Sequence, residues 1–432
     1  MRRAISFKLT EWSSGPFRKP LLIRGARQVG KTYIVNQFAS QHFKDNFHSF
    51  NFEKNPELHT LFDQNLDSTR IVSELELFSG KRIDTEYDLL FFDEIQECPK
   101  AIMALRYFYE EMPGLRIIAA GSLLEFALND ISFPVGRLQI LHMHPMTFGE
   151  FLIATGKEIL AERIREPDRS ISESAINLIN EEMYNYFLTG GMPESVNAFR
   201  KTGSFIESFK IQENLLATLR QDFAKYAGHS DKRCLNAVLG SVAKKTGEQI
   251  KYTHLAEDFS QPTIKKAFEL LEMARLFTKV KAASPAGIPL GEGASEKIFK
   301  TLFLDIGLLS NISGFSADRT VPKNKMASAF NGKLAEQFVG QELRARLNEN
   351  VYYWSRNQRG SSAETDYLIE KNGEILPVEV KSGKSGKIKS LHLLLKEYPS
   401  IRQAYVLTED KFGDIPDQKI KFRPLFFAAY LP

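Results

Sequence analysis

Residues 25–32 read Gly-Ala-Arg-Gln-Val-Gly-Lys-Thr and satisfy the phosphate-loop pattern G-x-x-x-x-G-K-[ST] at every position. The pattern constrains the fold because it works only between a strand and a helix N-terminus. Both flanks fit. Pro20-Leu21-Leu22-Ile23 is a short apolar run that predicts a buried strand, and Thr32 to Ser40 predicts a helix with Tyr33, Ile34, Val35 and Phe38 on its apolar side. In such a loop glycines let backbone N–H groups turn onto phosphate oxygens, and the helix dipole favours negative charge there. Gly25, Ala26, Arg27, Gln28, Val29, Gly30, Lys31 and Thr32 are therefore the expected cradle for a nucleoside triphosphate such as ATP. Lys31 would reach the β- and γ-phosphates, and the Thr32 hydroxyl would take one position on Mg²⁺.

A second motif lies downstream. Tyr87-Asp88-Leu89-Leu90-Phe91-Phe92-Asp93-Glu94 is a continuous apolar run ending in two acids, as expected of a parallel strand buried on both faces. Asp93 at its tip is the candidate partner of Mg²⁺, and Glu94 the candidate general base for an attacking water. The next apolar run, Leu115 to Ala120, leads into Gly121-Ser122. Ser122 either reads the γ-phosphate or caps the segment Leu123-Leu124-Glu125. Gly136-Arg137 follows a Phe-Pro-Val turn, and Arg137 is a candidate for stabilising charge on a transferring phosphoryl group, from its own chain or a neighbouring one.

With these motifs in this order, Leu22 to Thr32, then Phe92-Asp93-Glu94-Ile95-Gln96, then Ala120-Gly121-Ser122, the chain resembles the bacterial and archaeal AAA-type ATPases. It is more closely similar to a subfamily with a C-terminal domain of unknown function and nuclease-like fold. Pro145 to Leu152 and Gly190-Gly191-Met192-Pro193-Glu194 match other segments of that group. The resemblance implies an AAA-type ATPase core with ATP and Mg²⁺ as cofactors.

The length of 432 residues suggests roughly two to four domains. Charged residues at 25% and apolar ones at 43% are ordinary for a globular protein. No apolar run approaches the ~20 residues of a membrane helix, and the start Met1-Arg2-Arg3-Ala4-Ile5 is not a secretory signal. Cys98 and Cys234 form no C-x-x-C pair, which excludes a zinc ribbon and fits a reducing cytoplasm. A net charge of +4 does not argue for nucleic acid by itself.

Strand and helix signals alternate from residue 20 to about 145, implying a parallel sheet covered by helices. The expected division is an ATPase core over 1–150, a helical connector over 151–230, a winged-helix-like segment over 231–320 and a nuclease-like domain over 321–432. In the connector Ile176, Ile179, Met183 and Phe187 recur at helical spacing until Gly190-Gly191 breaks the run. In the third part a helix over Thr263–Arg275 and strands over Phe277–Lys281 and Lys297–Phe303 resemble a winged helix. Lys265 and Lys266 are a thin phosphate footprint, and Glu269 and Glu272 on the same helix count against DNA docking.

The last hundred residues hold a further constellation. Glu336 lies on the helical pattern Leu334–Val339, Asp366 on the strand Glu364–Ile369, and Glu379 and Lys381 on the strand Ile375–Lys381. Residues two apart in a strand face the same side, so Glu379 and Lys381 project together and Asp366 can meet them across the hairpin. Two carboxylates suit Mg²⁺, and an ammonium can orient a metal-bound water. The arrangement resembles the restriction-endonuclease-like PD-(D/E)xK fold, with Thr365 where the motif has proline. That resemblance implies metal ligation by Glu336, Asp366 and Glu379, with Lys381 as catalytic residue. Lys381, Lys384, Lys387 and Lys389 form a basic stretch that either contacts phosphates or is a solvated loop.

The expected fold class is α/β: an AAA-type parallel sheet, a helical connector, a winged-helix-like segment and a C-terminal α/β nuclease-like domain. The leading functional expectation is an ATPase whose C-terminal domain binds or cuts DNA under nucleotide control, in a homo-oligomer and without a membrane. The alternatives are an ATP-dependent switch or signalling scaffold with an inactive nuclease-like module, and a winged-helix regulator with an ATPase sensor.

Overall fold

The computed structural model describes residues 2–122, 124, 133–134, 136–226, 232–314, 331–347, 350–358, 361–381, 388–409 and 412–431. The chain divides into two compact units, Met1–His144 with Met273–Arg275, and Pro145–Glu272 with Leu276–Pro432.

The first unit is built on five parallel strands, β1 (Leu21–Arg24), β2 (Phe47–Asn51), β3 (Leu89–Asp93), β4 (Arg116–Gly121) and β5 (Gln139–His142), in the order β2-β3-β4-β1-β5. Every residue of β3 is buried, as its unbroken apolar run requires. Phe92 anchors that strand, its ring centroid 6.3 Å from Phe50, 5.6 Å from Phe52, 6.3 Å from Phe62 and 6.1 Å from Phe108. This packing fixes the height at which the next residue, Asp93, leaves the sheet. After β1 the helix Lys31–His42 buries Ile34, Val35 and Phe38 as expected. Tyr33 departs from that expectation: it points outward and is 57% exposed. Three consecutive apolar residues, Tyr33 to Val35, span more than one helix face can cover.

The second unit begins with the helical run expected of the connector, Phe148–Ala154, Glu158–Arg163, Glu173–Thr189, Pro193–Thr202 and Phe205–Tyr226. The Pro145–Leu152 motif has a structural use. Thr147 and Glu150 form a capping box, the Thr147 hydroxyl accepting from the Glu150 N–H and the Glu150 carboxylate from the Thr147 N–H. Gly190-Gly191 is a close crossing. Gly190 adopts φ 70°, ψ −169°, a conformation open to glycine alone, and a Cβ on Gly191 would lie 2.1 Å from the Met146 carbonyl oxygen.

The strand-bearing part is one mixed sheet of eight: β6 (Phe277–Ala282), β7 (Ser295–Phe303), β8 (Val351–Gln358), β9 (Ser361–Lys371), β10 (Glu374–Val380), β11 (Ala404–Thr408), β12 (Gly413–Ile415) and β13 (Ile420–Pro424). Its order is β12-β13-β11-β10-β9-β8-β6-β7. The sheet runs across the expected boundary near residue 320. The hairpin β6–β7 is not a free wing, because β6 also pairs in parallel with β8 through Lys281–Tyr352 and Ala282–Tyr353. Edge N–H and C=O groups that a wing would leave open are used to continue the sheet. The connector joins the same unit through buried bonds: the Gly191 N–H donates to Asp305 at 2.6 Å, and the Ser310 hydroxyl to the Phe187 carbonyl at 2.9 Å. Among the described residues, no helix is long and apolar enough to cross a membrane.

Gly191→Ala should destabilise the chain by about 2 kcal/mol, since its Cβ meets backbone rather than a side chain that can yield. Gly240→Ala, inside the helix Lys232–Lys244 with nothing within 4 Å of the new Cβ, should stabilise it by up to about 1 kcal/mol. Denaturant titration of both variants checks the pair, and equal effects would refute the crossing.

Glu342 is buried and accepts from the Phe148 N–H at 2.9 Å. Burial, with Glu150 nearby, pushes its carboxyl up to about 8, against the pull of that hydrogen bond. The folded chain therefore holds a proton that the unfolded chain has released, and stability falls as pH rises from the ordinary carboxyl range through about 8. Glu342→Gln should be neutral at pH 4 and stabilise by on the order of 2 kcal/mol at pH 8.5, read from melts across pH. A difference independent of pH would refute the assignment.

Candidate functional site

The loop after β1 has the shape its sequence implies. Gln28 and Gly30 take positive φ of 62° and 94°, so successive N–H groups turn toward one side. Gly25 cannot be larger, because a Cβ there would lie 2.3 Å from the Met143 carbonyl oxygen. Ala26 and Val29 are buried and hold the loop to the core. Lys31 is buried too, its ammonium donating to the carbonyls of Gly25 at 3.0 Å and Ala26 at 2.8 Å. Burial lowers its pKa to about 8, opposed by the negative charges of Glu94 and Asp93. An anion in the loop would meet a lysine already stripped of water.

The two acids come to the loop because β1 and β3 are parallel and end at the same edge of the sheet. The Thr32 hydroxyl lies 3.1 Å from each Asp93 oxygen, and the Asn51 amide donates to Asp93 Oδ2 at 3.0 Å. Burial, then Glu94, raises the Asp93 carboxyl above its ordinary range. Glu94 stands in the left-handed region at φ 49°, a conformation that costs energy for a residue with a side chain. Its Oε2 is held by the Gln96 amide at 2.7 Å and the Ser122 hydroxyl at 3.3 Å. Of the two roles expected for Ser122, the structure places its hydroxyl on Glu94; Leu123 and Glu125, which it was expected to cap, lie outside the described residues. Gly121 makes room, since a Cβ there would come 2.4 Å from Gln96 Oε1. Asn51 and Gln96 were missed in the sequence reading. The signal for Asn51 was its place at the end of a strand beside Asp93, and that for Gln96 its place two residues after the acid pair.

Arg137 is not brought to this site within the chain. It precedes β5, whose first residue Gln139 pairs with Leu21 at the start of β1, so it lies at the opposite end of the strands from the loop. Its guanidinium is ion-paired with Glu110 at 2.8 Å.

In the second unit the expected constellation assembles, with additions. Asp366 accepts from the Val380 N–H at 2.8 Å, next to Glu379, and Glu379 is paired with Lys381 at 2.6 Å. Glu336 joins them through Lys300, a lysine of β7 absent from the sequence reading. The Lys300 ammonium lies 2.8 Å from Glu336, 2.5 Å from Glu364 and 3.4 Å from Asp366, and its side chain is 2% exposed. Burial alone would lower its pKa, but Glu336, Asp366 and Glu364 outweigh burial and raise it. Burial and Asp366 push Glu336 up to about 8 and Glu379 up to about 7. The acids of the cluster are met by two ammonium groups, Lys300 on Glu336, Glu364 and Asp366, and Lys381 on Glu379. Glu336, Asp366 and Glu379, expected to hold a metal, are here paired with lysines, Glu336 and Asp366 with Lys300 and Glu379 with Lys381. Among the described residues no group of three or more His, Cys, Asp and Glu is placed to hold a metal ion. The signal for Lys300 was a lone lysine inside the apolar run Phe299–Phe303, where a buried charge needs a partner. Lys384 and Lys387 lie outside the described residues.

Comparison with known proteins agrees with the first of these sites. Residues 17–152 match a family model described as an AAA domain. That segment is an AAA-type domain. Residues 180–319 and 331–424 match two further models, each described as a domain of unknown function, DUF8612 and DUF4143. The chain is 25% identical over 378 residues to the uncharacterized protein MJ1544 of Methanocaldococcus jannaschii, covering 83% of this chain and 74% of that one. Among solved structures it is similar to the Walker-type ATPase paby2304 of Pyrococcus abyssi, at 16% identity and a TM-score of 0.44, over 72% of this chain and 95% of that chain. It is also similar to AMPPCP-bound DnaA from Aquifex aeolicus, at 12% identity and a TM-score of 0.29, over 62% of this chain and 87% of that chain. A third likeness is to the Aeropyrum pernix Orc1 protein in complex with DNA, at 13% identity and a TM-score of 0.29, over 72% and 90%.

Proposed function

We propose that this protein binds and hydrolyses ATP in its AAA-type domain and uses that cycle to control its second unit. The observation that carries the reading is the convergence, at the mouth of one anion-shaped loop, of Lys31, the Thr32–Asp93 pair and a strained Glu94 held by two donors. The loop N–H groups and Lys31 would bind the phosphates. Thr32 and Asp93, hard oxygen donors held together by Asn51, fit Mg²⁺, which when bound would neutralise phosphate charge. Gln96 and Ser122 orient Glu94, which would accept the proton of the attacking water. Two bonds on a single oxygen leave the other free for that water.

For the second unit we favour the switch or scaffold reading over a DNA-cutting one, with a nuclease-like module that binds without cleaving. The internal pairing of its acids by Lys300 and Lys381 supports this choice. The regulator reading is weaker still. On the helix Gln261–Met273 Lys265 faces Glu269 at 3.6 Å, and Glu272 of the same helix pairs with Lys279 of β6 at 3.2 Å, so acids stand beside the two lysines that would meet phosphates. The two cysteines, both buried and neither in a disulfide, suit a reducing cytoplasm.

Lys31→Ala should lose ATP binding, whereas Glu94→Gln should keep binding and lower turnover by about 100-fold or more. Calorimetric titration and a phosphate-release assay separate the two. Unchanged ATP affinity in Lys31→Ala would overturn the nucleotide reading, and full turnover in Glu94→Gln would remove the base role.

Arg137, at the far end of the strands, would reach a γ-phosphate only from a neighbouring copy, so we assign it a role in trans within a homo-oligomer. Mixing Arg137→Ala with Lys31→Ala protein should then restore ATPase activity that neither shows alone. Absence of recovery, or a chain that is monomeric at assay concentration, removes the trans role.

A further inference from the structure

We propose that Lys300 is the resident cation of the second unit's carboxylate cluster, standing where a divalent metal would otherwise bind and excluding it. The inference deepens the non-cleaving reading of that module and is independent of the ATPase reading. An ammonium carries three N–H donors and no acceptor. Lys300 meets three carboxylates from two elements of the fold: Glu336 of the helix Asn331–Arg346, and Glu364 and Asp366 of β9. Its charge also lies 5.5 Å from the centroid of the Tyr353 ring, so the pocket is lined for a cation on its apolar side too.

Several of the outer oxygens are taken as well, while Glu379 Oε2 is buried without a hydrogen-bond partner. Glu364 Oε2 accepts from the Gln249 amide, Asp366 Oδ2 from the Val380 N–H at 2.8 Å, and Glu379 Oε1 from Lys381 at 2.6 Å. Gly247 packs against Glu336 so closely that a Cβ there would lie 2.8 Å from Oε2. A Mg²⁺ or Mn²⁺ ion would need these oxygens at about 2.0–2.2 Å around a centre now occupied by a buried lysine. Ion and ammonium therefore exclude each other. Taking the ammonium away leaves three converging carboxylates that repel one another, which is a demand for a hard cation.

The test is Mn²⁺ titration of the full-length chain by calorimetry and by the loss of the free-ion paramagnetic resonance signal. It is done without nucleotide and in an Asp93→Asn background, so that the AAA-type domain adds no site. The Asp93→Asn protein should bind no Mn²⁺ that Asp366→Asn removes. Adding Lys300→Met should create one Mn²⁺ site per chain, and adding Asp366→Asn to that should abolish it, whereas Lys300→Arg should create none. Should Lys300→Met be isolated unfolded, recovery of its fold by millimolar Mn²⁺ carries the same meaning, and failure to recover counts against it. A Mn²⁺ bound with Lys300 in place and lost in Asp366→Asn would overturn the proposal. So would a folded Lys300→Met that gains no ion.

Discussion

A lysine taken out of water must be met by negative charge or by carbonyl oxygens, or it unfolds what surrounds it, and each unit of this protein is arranged about one such lysine. In the first unit Lys31 is buried against the Gly25 and Ala26 carbonyls, with Asp93 and Glu94 supplying the field. Neutral oxygens hold it weakly enough that burial wins and its pKa falls. In the second unit Lys300 is buried among three carboxylates, and there the charges win and its pKa rises. The same residue type under the same desolvation is thus left ready for an anion in one place and spent on internal pairing in the other.

The motifs that were legible in sequence are those whose parts are contiguous. The loop at 25–32, the strand tip Asp93-Glu94 and the E-x-K pair Glu379–Lys381 each lie within a few residues, and local geometry alone brings their members together. Asn51, Glu364 and Lys300 were not legible, because their roles depend on which strand lies beside which, whereas Gln96 acts on Glu94 only two residues away. Lys300 shows the difference most clearly. Its strand read correctly as an apolar run, but its partners are 36, 64 and 66 residues further on. Arg137 shows the same dependence in reverse. Proximity in sequence to the strand-and-loop pattern suggested a phosphate role, while the parallel register of β5 on β1 puts it at the end of the sheet away from its own chain's loop.

Strain in the first unit follows its chemistry. Gln28 and Glu94 are both non-glycine residues with positive φ, and both border the anion-shaped loop. A left-handed carboxylate residue persists only where its neighbours over-determine it, and here the buried strand β3, Gln96 and Ser122 do so. Gly121, which makes room for Gln96, is therefore as much a part of the site as the residues that touch a ligand.

The sheet of the second unit also decides what counts as a domain. Family matches end at residue 319 and resume at 331, and the sequence reading placed a boundary at 320. Yet β6 pairs with β8 across that point, and Lys300 on β7 neutralises acids on the helix Asn331–Arg346 and on β9. A fragment starting after residue 320 would keep Glu336, Glu364 and Asp366 while losing the ammonium that binds them. It would also expose the edge of β8 that β6 covers. Such a fragment would present a cluster of carboxylates seeking a cation, so metal binding by it would describe the cut rather than the protein. The hairpin and the C-terminal strands share one sheet, and Lys300 pairs from β7 with acids of the helix Asn331–Arg346 and of β9.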